Sequence, residues 1–400
     1  MRTIILLIFT TFLLSCKPTI DKQKADKQLR EQIIGDWERI IEKENYSSSI
    51  PPPPPPIFSL PQGMTITYDS IEFNLGFFKA DRDSITGKRT RFYFSNKTPY
   101  KTDKDSIIIK NLLNEQWEFK WKFVKRKTDT LILAVNDTTF FKYKRLYYNL
   151  DTLPDFDQII YSSSGCYGSC PIIDISIDNA GNILFQGEGY VKSLGFFTAK
   201  LNSQTKKYIF DKFRRANPIG LLDEYAVGHT DDQSITTTFI KSGKIVKTIH
   251  DYGMAGPSKL IWAYIPIANI YSKIKLDTLP IDEPFYPKLH YYTFKKGGLI
   301  LPLEKSESFY FWTELQKAKL TDKLFKSKYK LTFVGNYTYW GPDPYKERKH
   351  KYEISSITTD GQYFKFEFKD TKPITYDLGY NFIDRNFRLE DFRKPKEWEE

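Results

Sequence analysis

The sequence predicts a β-rich α+β protein, in which an antiparallel barrel or sandwich is followed by one or two domains of the order β-β-β-α-β-β-α. Aromatic side chains make up 16% of the 400 residues, with 27 tyrosines and 31 phenylalanines, and such side chains are typical of half-buried β surfaces. Short apolar runs also alternate with turn residues along most of the chain, at the spacing of antiparallel strands. A chain of this length exceeds one ordinary core, so we expect several modules.

The first fifteen residues have the composition of a secretory signal peptide. Arg2 supplies a positive charge, and a short, largely apolar run at 4–14 ends one small residue before Cys16. The run is shorter than the ~20 residues that span a bilayer as a helix, so we expect cleavage after residue 15. Leu13-Leu14-Ser15-Cys16 resembles the lipobox of bacterial lipoproteins. The resemblance implies that Cys16 carries lipid and holds the protein on a membrane of the cell envelope, the outer membrane or its periplasmic face.

Cleavage leaves residues 16–32 as a polar, lipidated tether, and the first folded domain occupies residues 33–149. Residues 17–30 have almost no apolar periodicity, as expected of a tether. Beyond them, turn residues separate seven predicted strands, at 37–42, 64–73, 91–94, 106–110, 117–125, 130–135 and 140–147.

Two short segments of this domain resemble a known family. Gly35-Asp36-Trp37 resembles the G-x-W signature of lipocalins, and residues 140–145 resemble the last strand of the small lipocalin-like domains of bacterial lipoproteins. The resemblance implies a barrel whose floor is plugged by Trp37. The six consecutive prolines at 51–56 cannot donate backbone hydrogen bonds to a sheet. We therefore place them in an enlarged loop, as a stiff spacer or, alternatively, as a docking site for a partner.

A repeated pentapeptide predicts the remaining domain boundaries. Leu-Asp-Thr-Leu-Pro occurs at 150–154 and again at 276–280, and its polar flanks and final proline are typical of linkers. The two copies bracket a middle domain at 155–275 and leave a C-terminal domain at 281–400. The predicted order of strand, helix and hairpin in the C-terminal domain echoes the middle domain, which suggests a degenerate duplication.

The middle domain opens with the motif C-x-G-x-C-P, formed by Cys166, Gly168, Cys170 and Pro171. A hairpin, a strand, a helix, a second hairpin and a last helix are predicted to follow it. The motif and this order, over residues 155–275, resemble an uncharacterised domain family that is common in bacterial lipoproteins. Because that family has no established activity, the resemblance implies a fold and a location and no chemistry.

Three roles are open to the two cysteines of this motif. Outside the cytoplasm, Cys166 and Cys170 are expected to form a structural disulfide, because Cys16 is consumed by lipid and an even pair remains. A thiol-disulfide role is the first alternative, although reactive pairs normally lie at a helix N-terminus. Metal binding by Cys166, Cys170, His229 and His250 is the second, with Asp231, Asp232 or Asp251 as substitutes, although the spacing matches no established zinc finger.

Two of the four histidines stand beside aspartates, as His229-Thr230-Asp231-Asp232 and His250-Asp251. An imidazole beside a carboxylate can serve in general acid–base catalysis. Neighbouring residues of a strand point to opposite faces, however, so we do not expect His250 and Asp251 to act together. The chain contains no established motif of a hydrolase, a metalloprotease or a nucleotide-binding loop, and we expect no cofactor.

The charge pattern limits the classes of partner that we expect. The formal net charge is +11, and basic and acidic residues are interleaved along the chain, which predicts a solvated surface. Attraction to anionic lipid or envelope polymer is the alternative, and nucleic acid is not expected because no binding motif accompanies the charge.

We therefore expect a non-enzymatic, lipid-anchored envelope protein that binds a small ligand or a partner. The alternative is an envelope enzyme that uses the Cys166/Cys170 pair for thiol-disulfide chemistry, or His229 or His250 with a neighbouring aspartate for hydrolysis. A deep apolar cavity in the first domain would favour a small ligand, whereas a barrel filled by side chains would favour a purely interacting role.

Overall fold

Eight antiparallel strands close the N-terminal part of the chain into a barrel. The computed structural model describes residues 17–41, 62–82, 89–281, 284–285, 290–334 and 352–399. The predicted signal peptide, Cys16 and the prolines at 51–56 lie outside the described residues. Each barrel strand pairs with the next, and the last pairs with the first: β1 (Gly35–Arg39), β2 (Gly63–Ile66), β3 (Ser70–Arg82), β4 (Arg89–Asp103), β5 (Ser106–Lys110), β6 (Trp117–Lys127), β7 (Thr130–Ala134) and β8 (Phe140–Leu146).

Trp37 is a buried member of the barrel core, and its place at the barrel floor stays a prediction. Its side chain is fully buried, and its indole Nε1 donates a hydrogen bond to the carbonyl oxygen of Ile33 at 2.7 Å. The guanidinium of Arg145, on β8, lies 5.4 Å from the centre of the Trp37 ring. Gly35 leaves room for that guanidinium, since a Cβ there would lie 3.1 Å from it.

Helix α1 (Lys17–Ile33) occupies most of the segment that we expected to be a polar tether. Leu29 and Ile33, four residues apart, lie on one side of the helix and pack into the barrel core. A segment with so few apolar residues gives almost no amphipathic signal by itself. Its helix is stabilised by the barrel surface that it covers, which local sequence does not reveal.

The predicted strand at 64–73 is in fact two strands, β2 and β3. A turn separates them, in which the backbone N–H of Thr67 donates to the carbonyl oxygen of Ser70 at 2.9 Å. The polar residues at 67–70 stabilise this turn, since the Thr67 hydroxyl also donates to the carboxylate of Asp69.

The chain divides into two compact units, residues 1–149 and residues 150–400. The larger sheet of the second unit has the strand order β13-β15-β14-β9-β10-β11-β12-β16. Helices α2 (Ser203–Ala216) and α3 (Ser258–Asn269) bury their apolar sides on one face of this sheet. The strands are β9 (Gln158–Ser163), β10 (Ile172–Asp178), β11 (Asn182–Gly189), β12 (Gly195–Lys200), β13 (Glu224–Ala226), β14 (Ser234–Lys241), β15 (Lys244–Tyr252) and β16 (Asp277–Thr278).

A second sheet, of seven strands, has the order β18-β17-β20-β21-β22-β23-β19. Helix α4 (Lys305–Lys317) contacts β17 of this sheet and also β9 and β14 of the larger one, so the middle and C-terminal segments share one hydrophobic core. The remaining elements are β17 (His290–Lys296), β18 (Leu299–Pro302), β19 (Lys319–Leu320), β20 (Tyr329–Val334), β21 (Ile354–Thr359), β22 (Tyr363–Phe368), β23 (Ile374–Asp377) and the short helix α5 (Phe382–Asn386).

These two units confirm the predicted fold class, a β-rich α+β protein that begins with an antiparallel barrel. The suggested duplication stays a prediction. In the middle segment, the first long strand after helix α2 is β14, and it pairs with β9, the fourth strand before that helix. In the C-terminal segment, the corresponding strand β20 pairs with β17, the second strand before helix α4. No helix of the described residues is both long enough and apolar enough to cross a bilayer.

Candidate ligand-binding site

Residues of the barrel line a half-open cavity of about 280 Å³. This volume lies near the lower end of the ~300–1,000 Å³ that small-molecule sites usually occupy. Most of its wall is apolar and aromatic, formed by Met64, Phe73, Leu75, Phe77, Trp121 and Phe141.

An irregularity in the pairing of β3 with β4 makes room for the cavity. Glu72 pairs with Lys97 and Phe77 pairs with Ser95, so four residues of β3 stand opposite a single residue of β4. Gly76, within this bulge, has φ +75°, and a Cβ there would lie 2.7 Å from the ring of Tyr93. Glycine therefore permits the bend, and the residues on either side of it line the cavity.

The aromatic wall is held by ring contacts between the two sides of the cavity. The ring centre of Phe73 lies 5.2 Å from that of Phe77 and 5.8 Å from that of Trp121. Trp121 in turn lies 6.5 Å from Tyr143. Such offset and edge-to-face contacts orient the rings around the cavity.

Lys120 is the charged residue among the described residues that line the cavity. In β6, Trp121 pairs with Ile107 and Phe119 pairs with Ile108, which leaves Lys120 as an extra residue at a bulge. In a regular strand, neighbouring side chains point to opposite faces, but a bulge allows both Lys120 and Trp121 to line the interior. Burial lowers the pKa of the Lys120 ammonium, and the charge of Glu118 opposes this shift.

Polar groups are gathered at one part of the cavity wall. Arg39 Nη1 donates to Gln62 Oε1 at 2.5 Å, and its guanidinium lies 3.8 Å from the centre of the Phe141 ring. Burial raises the pKa of the Tyr143 hydroxyl to about 12, against the opposing charge of Arg39. Tyr143 therefore stays protonated at neutral pH and can donate a hydrogen bond.

The predicted disulfide forms in the second unit. Cys166 and Cys170 are bonded, with their Cα atoms 5.6 Å apart, in the loop between β9 and β10. The backbone N–H of Tyr167 donates to the carbonyl oxygen of Asp231 at 2.8 Å, and Gln233 Nε2 donates to the carbonyl oxygen of Pro171 at 2.8 Å. A loop between two strands lacks the helix dipole that activates redox cysteines, so this geometry favours a structural role.

The two candidate histidines have separate partners. His229 Nε2 lies 2.5 Å from Asp232 Oδ2, whereas His250 Nδ1 lies 3.6 Å from Glu304 Oε2. A hydrogen bond with Glu304 raises the pKa of His250. Asp251 is buried and accepts a hydrogen bond from the backbone N–H of Ala255 at 2.7 Å, so the sequence neighbours at 250 and 251 have different environments, as strand alternation predicts. No group of three or more histidine, cysteine, aspartate or glutamate side chains is arranged to hold a metal ion in the described part of the chain.

A buried ionic cluster that the sequence did not predict lies between α4 and the larger sheet. Lys305 Nζ donates to the carbonyl oxygen of Ser163 at 2.8 Å and to Glu188 Oε2 at 3.2 Å, and it lies 3.8 Å from Asp174 Oδ1. All three charged side chains are at least 94% buried. Two residues further along the same helix, burial raises the pKa of Glu307 to about 7. Lys305 and Glu188 are 117 residues apart in the sequence, so no local pattern could have revealed that they pair.

The comparisons with known proteins concern the second unit. Residues 157–271 match a family model described as a domain of unknown function, DUF6438. The match covers strands β9 to β15 of the larger sheet with helices α2 and α3, and it includes the disulfide loop. Strand β16 and helix α4 lie beyond it. No curated protein matches the chain.

Proposed function

We propose that this protein is a non-enzymatic, lipid-anchored protein of the cell envelope whose barrel binds a small, largely apolar molecule. The observation that supports ligand binding is the cavity of about 280 Å³ in the barrel. A barrel that serves only as an interaction surface has no need of an unfilled interior, since cores normally pack to high density.

The anchor is the part of the proposal that depends on the sequence alone. The lipobox at 13–16 supports attachment of lipid to Cys16, and several acyl chains would hold the protein on a membrane almost irreversibly. Mass spectrometry of the protein purified from its native membrane tests this part. A diacylglyceryl group on Cys16 and loss of residues 1–15 are expected, whereas an untrimmed, unacylated chain in the cytosolic fraction would contradict it.

The cavity is tested by titration with the neutral fluorescent dye N-phenylnaphthylamine. We expect the dye to bind one-to-one and to gain fluorescence as it leaves water. Leu75→Trp should weaken binding at least tenfold, because Leu75 lines the cavity and the larger ring would fill it. Val124→Trp is the matched control, since the side chain at 124 is on an exposed part of β6. Equal binding by both variants would contradict a site inside the barrel.

A further inference from the structure

We infer that the ligand of the barrel carries one carboxylate on an apolar chain or ring, and that Lys120 binds this carboxylate; this inference rests on the proposed function of the cavity. Three features support this inference: the position of the Lys120 ammonium, the groups around it and the volume of the cavity.

The ammonium of Lys120 faces aromatic rings rather than an acidic side chain. Its Nζ lies 5.6 Å from the ring centre of Phe73 and 5.3 Å from that of Trp121. Of the residues that the structure describes, none forms an ion pair with Lys120. A cation over aromatic faces gains some electrostatic stabilisation, but a ring cannot replace the hydrogen bonds that an ammonium makes with water.

The nearest acidic group that acts on Lys120 is already engaged. Glu118 influences the ammonium through its charge, but its carboxylate accepts hydrogen bonds from the side-chain amides of Asn111 at 3.0 Å and Asn114 at 2.8 Å. These bonds lower the pKa of Glu118 and hold it on the exposed side of the barrel. It therefore does not neutralise the charge inside the cavity.

A carboxylate in the cavity would meet several favourable groups at once. The Lys120 ammonium offers charge-assisted hydrogen bonds, which are stronger than those between neutral groups. Arg39 adds a second positive charge near the wall, through its contacts with the lining residues Gln62 and Phe141. The low local dielectric strengthens these attractions relative to water.

The cavity also limits the apolar part of the ligand. At about 280 Å³ it is smaller than most drug-sized sites, which fits a single medium-length acyl chain or a small aromatic acid. Among the described residues that line the cavity, Lys120 is the one cation, and it matches a ligand with one negative charge. A medium-chain fatty acid has both properties, so decanoate is a suitable probe.

The test compares three probes that share one chain: decanoate, decanol and decyltrimethylammonium. Dissociation constants are measured by isothermal titration calorimetry on the full chain, below the aggregation concentration of each probe. We expect the native protein to prefer decanoate to decanol by at least tenfold and to bind the cationic probe weakest. Lys120→Met should remove the preference for decanoate while decanol still binds, and Lys120→Arg should restore most of it.

Lys122→Met is the matched control, because it removes the same charge two positions further along β6. The Lys122 side chain is 59% exposed and pairs with Asp105 at 3.2 Å, so this variant should retain the preference for decanoate. Equal binding of decanoate and decanol to the native protein, or an equal loss in both variants, would overturn the role of Lys120 and leave the cavity as a neutral apolar site. If no probe and no neutral dye binds, the proposed function itself fails.

Discussion

Lys305 is buried in the second unit and Lys120 is half-buried in the barrel, and the groups around the two charges differ. In the second unit, Lys305 meets the carboxylate of Glu188 at 3.2 Å, that of Asp174 at 3.8 Å and a backbone carbonyl. In the barrel, Lys120 meets two aromatic rings and a cavity. A buried cation that the fold itself neutralises is part of the structure. A half-buried cation that faces a cavity is available to a ligand.

The difference extends to the packing around each lysine. Helix α4 covers the Lys305 cluster and continues into a core of aromatic side chains, among them Phe309 and Trp312. The barrel interior is packed around Trp37 but leaves space beside Trp121, where β3 and β6 both bulge. Bulges thus create the cavity and also aim the cation into it.

Lys305→Met gives the largest expected effect on stability. It leaves Glu188 and Asp174 buried without their cation, and removal of one partner from a buried ion pair typically costs about 3–5 kcal/mol. Urea unfolding followed by circular dichroism measures the loss in the second unit. Lys317→Met on the same helix is the control, because that side chain is 68% exposed and should cost less than about 1 kcal/mol. Equal effects of the two variants would contradict a structural role for the cluster.

The titration of Glu307 should make the unfolding free energy of the second unit depend on pH. Its pKa is about 7 in the folded protein against an ordinary value of 4.5, so the unfolded chain ionises first as the pH rises. The free energy of unfolding should therefore fall between about pH 4.5 and pH 7 by roughly 3 kcal/mol. Glu307→Gln keeps the side-chain shape and removes the titration.

His250 contributes in the same direction, because its raised pKa gives stability that is present below pH 6.5 and is lost as the pH rises through its folded value. The pH profiles of the unfolding free energy with and without Glu307→Gln are therefore compared in protein that also carries His250→Asn. The groups that face Glu307 there are the Thr248 hydroxyl and the carboxylates of Glu304 and Asp391. An unchanged pH profile after Glu307→Gln would show that this carboxyl does not titrate in the expected range.

The disulfide should matter less than the ionic cluster. A loop closed by residues four positions apart removes little chain entropy, at most about 2 kcal/mol. The double variant Cys166→Ser/Cys170→Ser should therefore lower the unfolding free energy by this amount or less, because the Gln233 contact continues to hold the loop. A loss larger than that of Lys305→Met would reverse the order proposed here.

Lys120→Met should have the smallest effect on the free barrel. The substitution removes a charge whose desolvation is unfavourable, and it keeps most of the apolar stem. The unfolding free energy should therefore stay the same or rise by up to about 1 kcal/mol. The same urea titration as for Lys305→Met gives the answer. A loss of several kcal/mol would mean that Lys120 is structural, which would remove the contrast between the two lysines.

The sequence predicted those features that depend on local pattern. Alternating apolar residues and turn signals located most barrel strands, and the short spacing of Cys166 and Cys170 indicated their disulfide. Three residues, 35–37, also indicated a buried tryptophan in the barrel, and Trp37 is fully buried. In each case, the signal lies within a few positions of the structure that it predicts.

The sequence did not predict features that depend on register or on distant contacts. Strand alternation alone would point Lys120 away from the interior that Trp121 faces, and only the pairing with β5 reveals the bulge. The helix at the N-terminus needs the barrel surface for Leu29 and Ile33. Lys305 and its partners come together through the tertiary packing of α4 on the larger sheet.

A crystal structure of the full chain with decanoate tests the central claim most directly. The account predicts that the acyl chain lies among Phe73, Phe77 and Trp121, with a carboxylate oxygen within about 3.2 Å of Lys120 Nζ. Decanoate bound with its carboxylate in solvent, or bound only on the outside of the barrel, would contradict it.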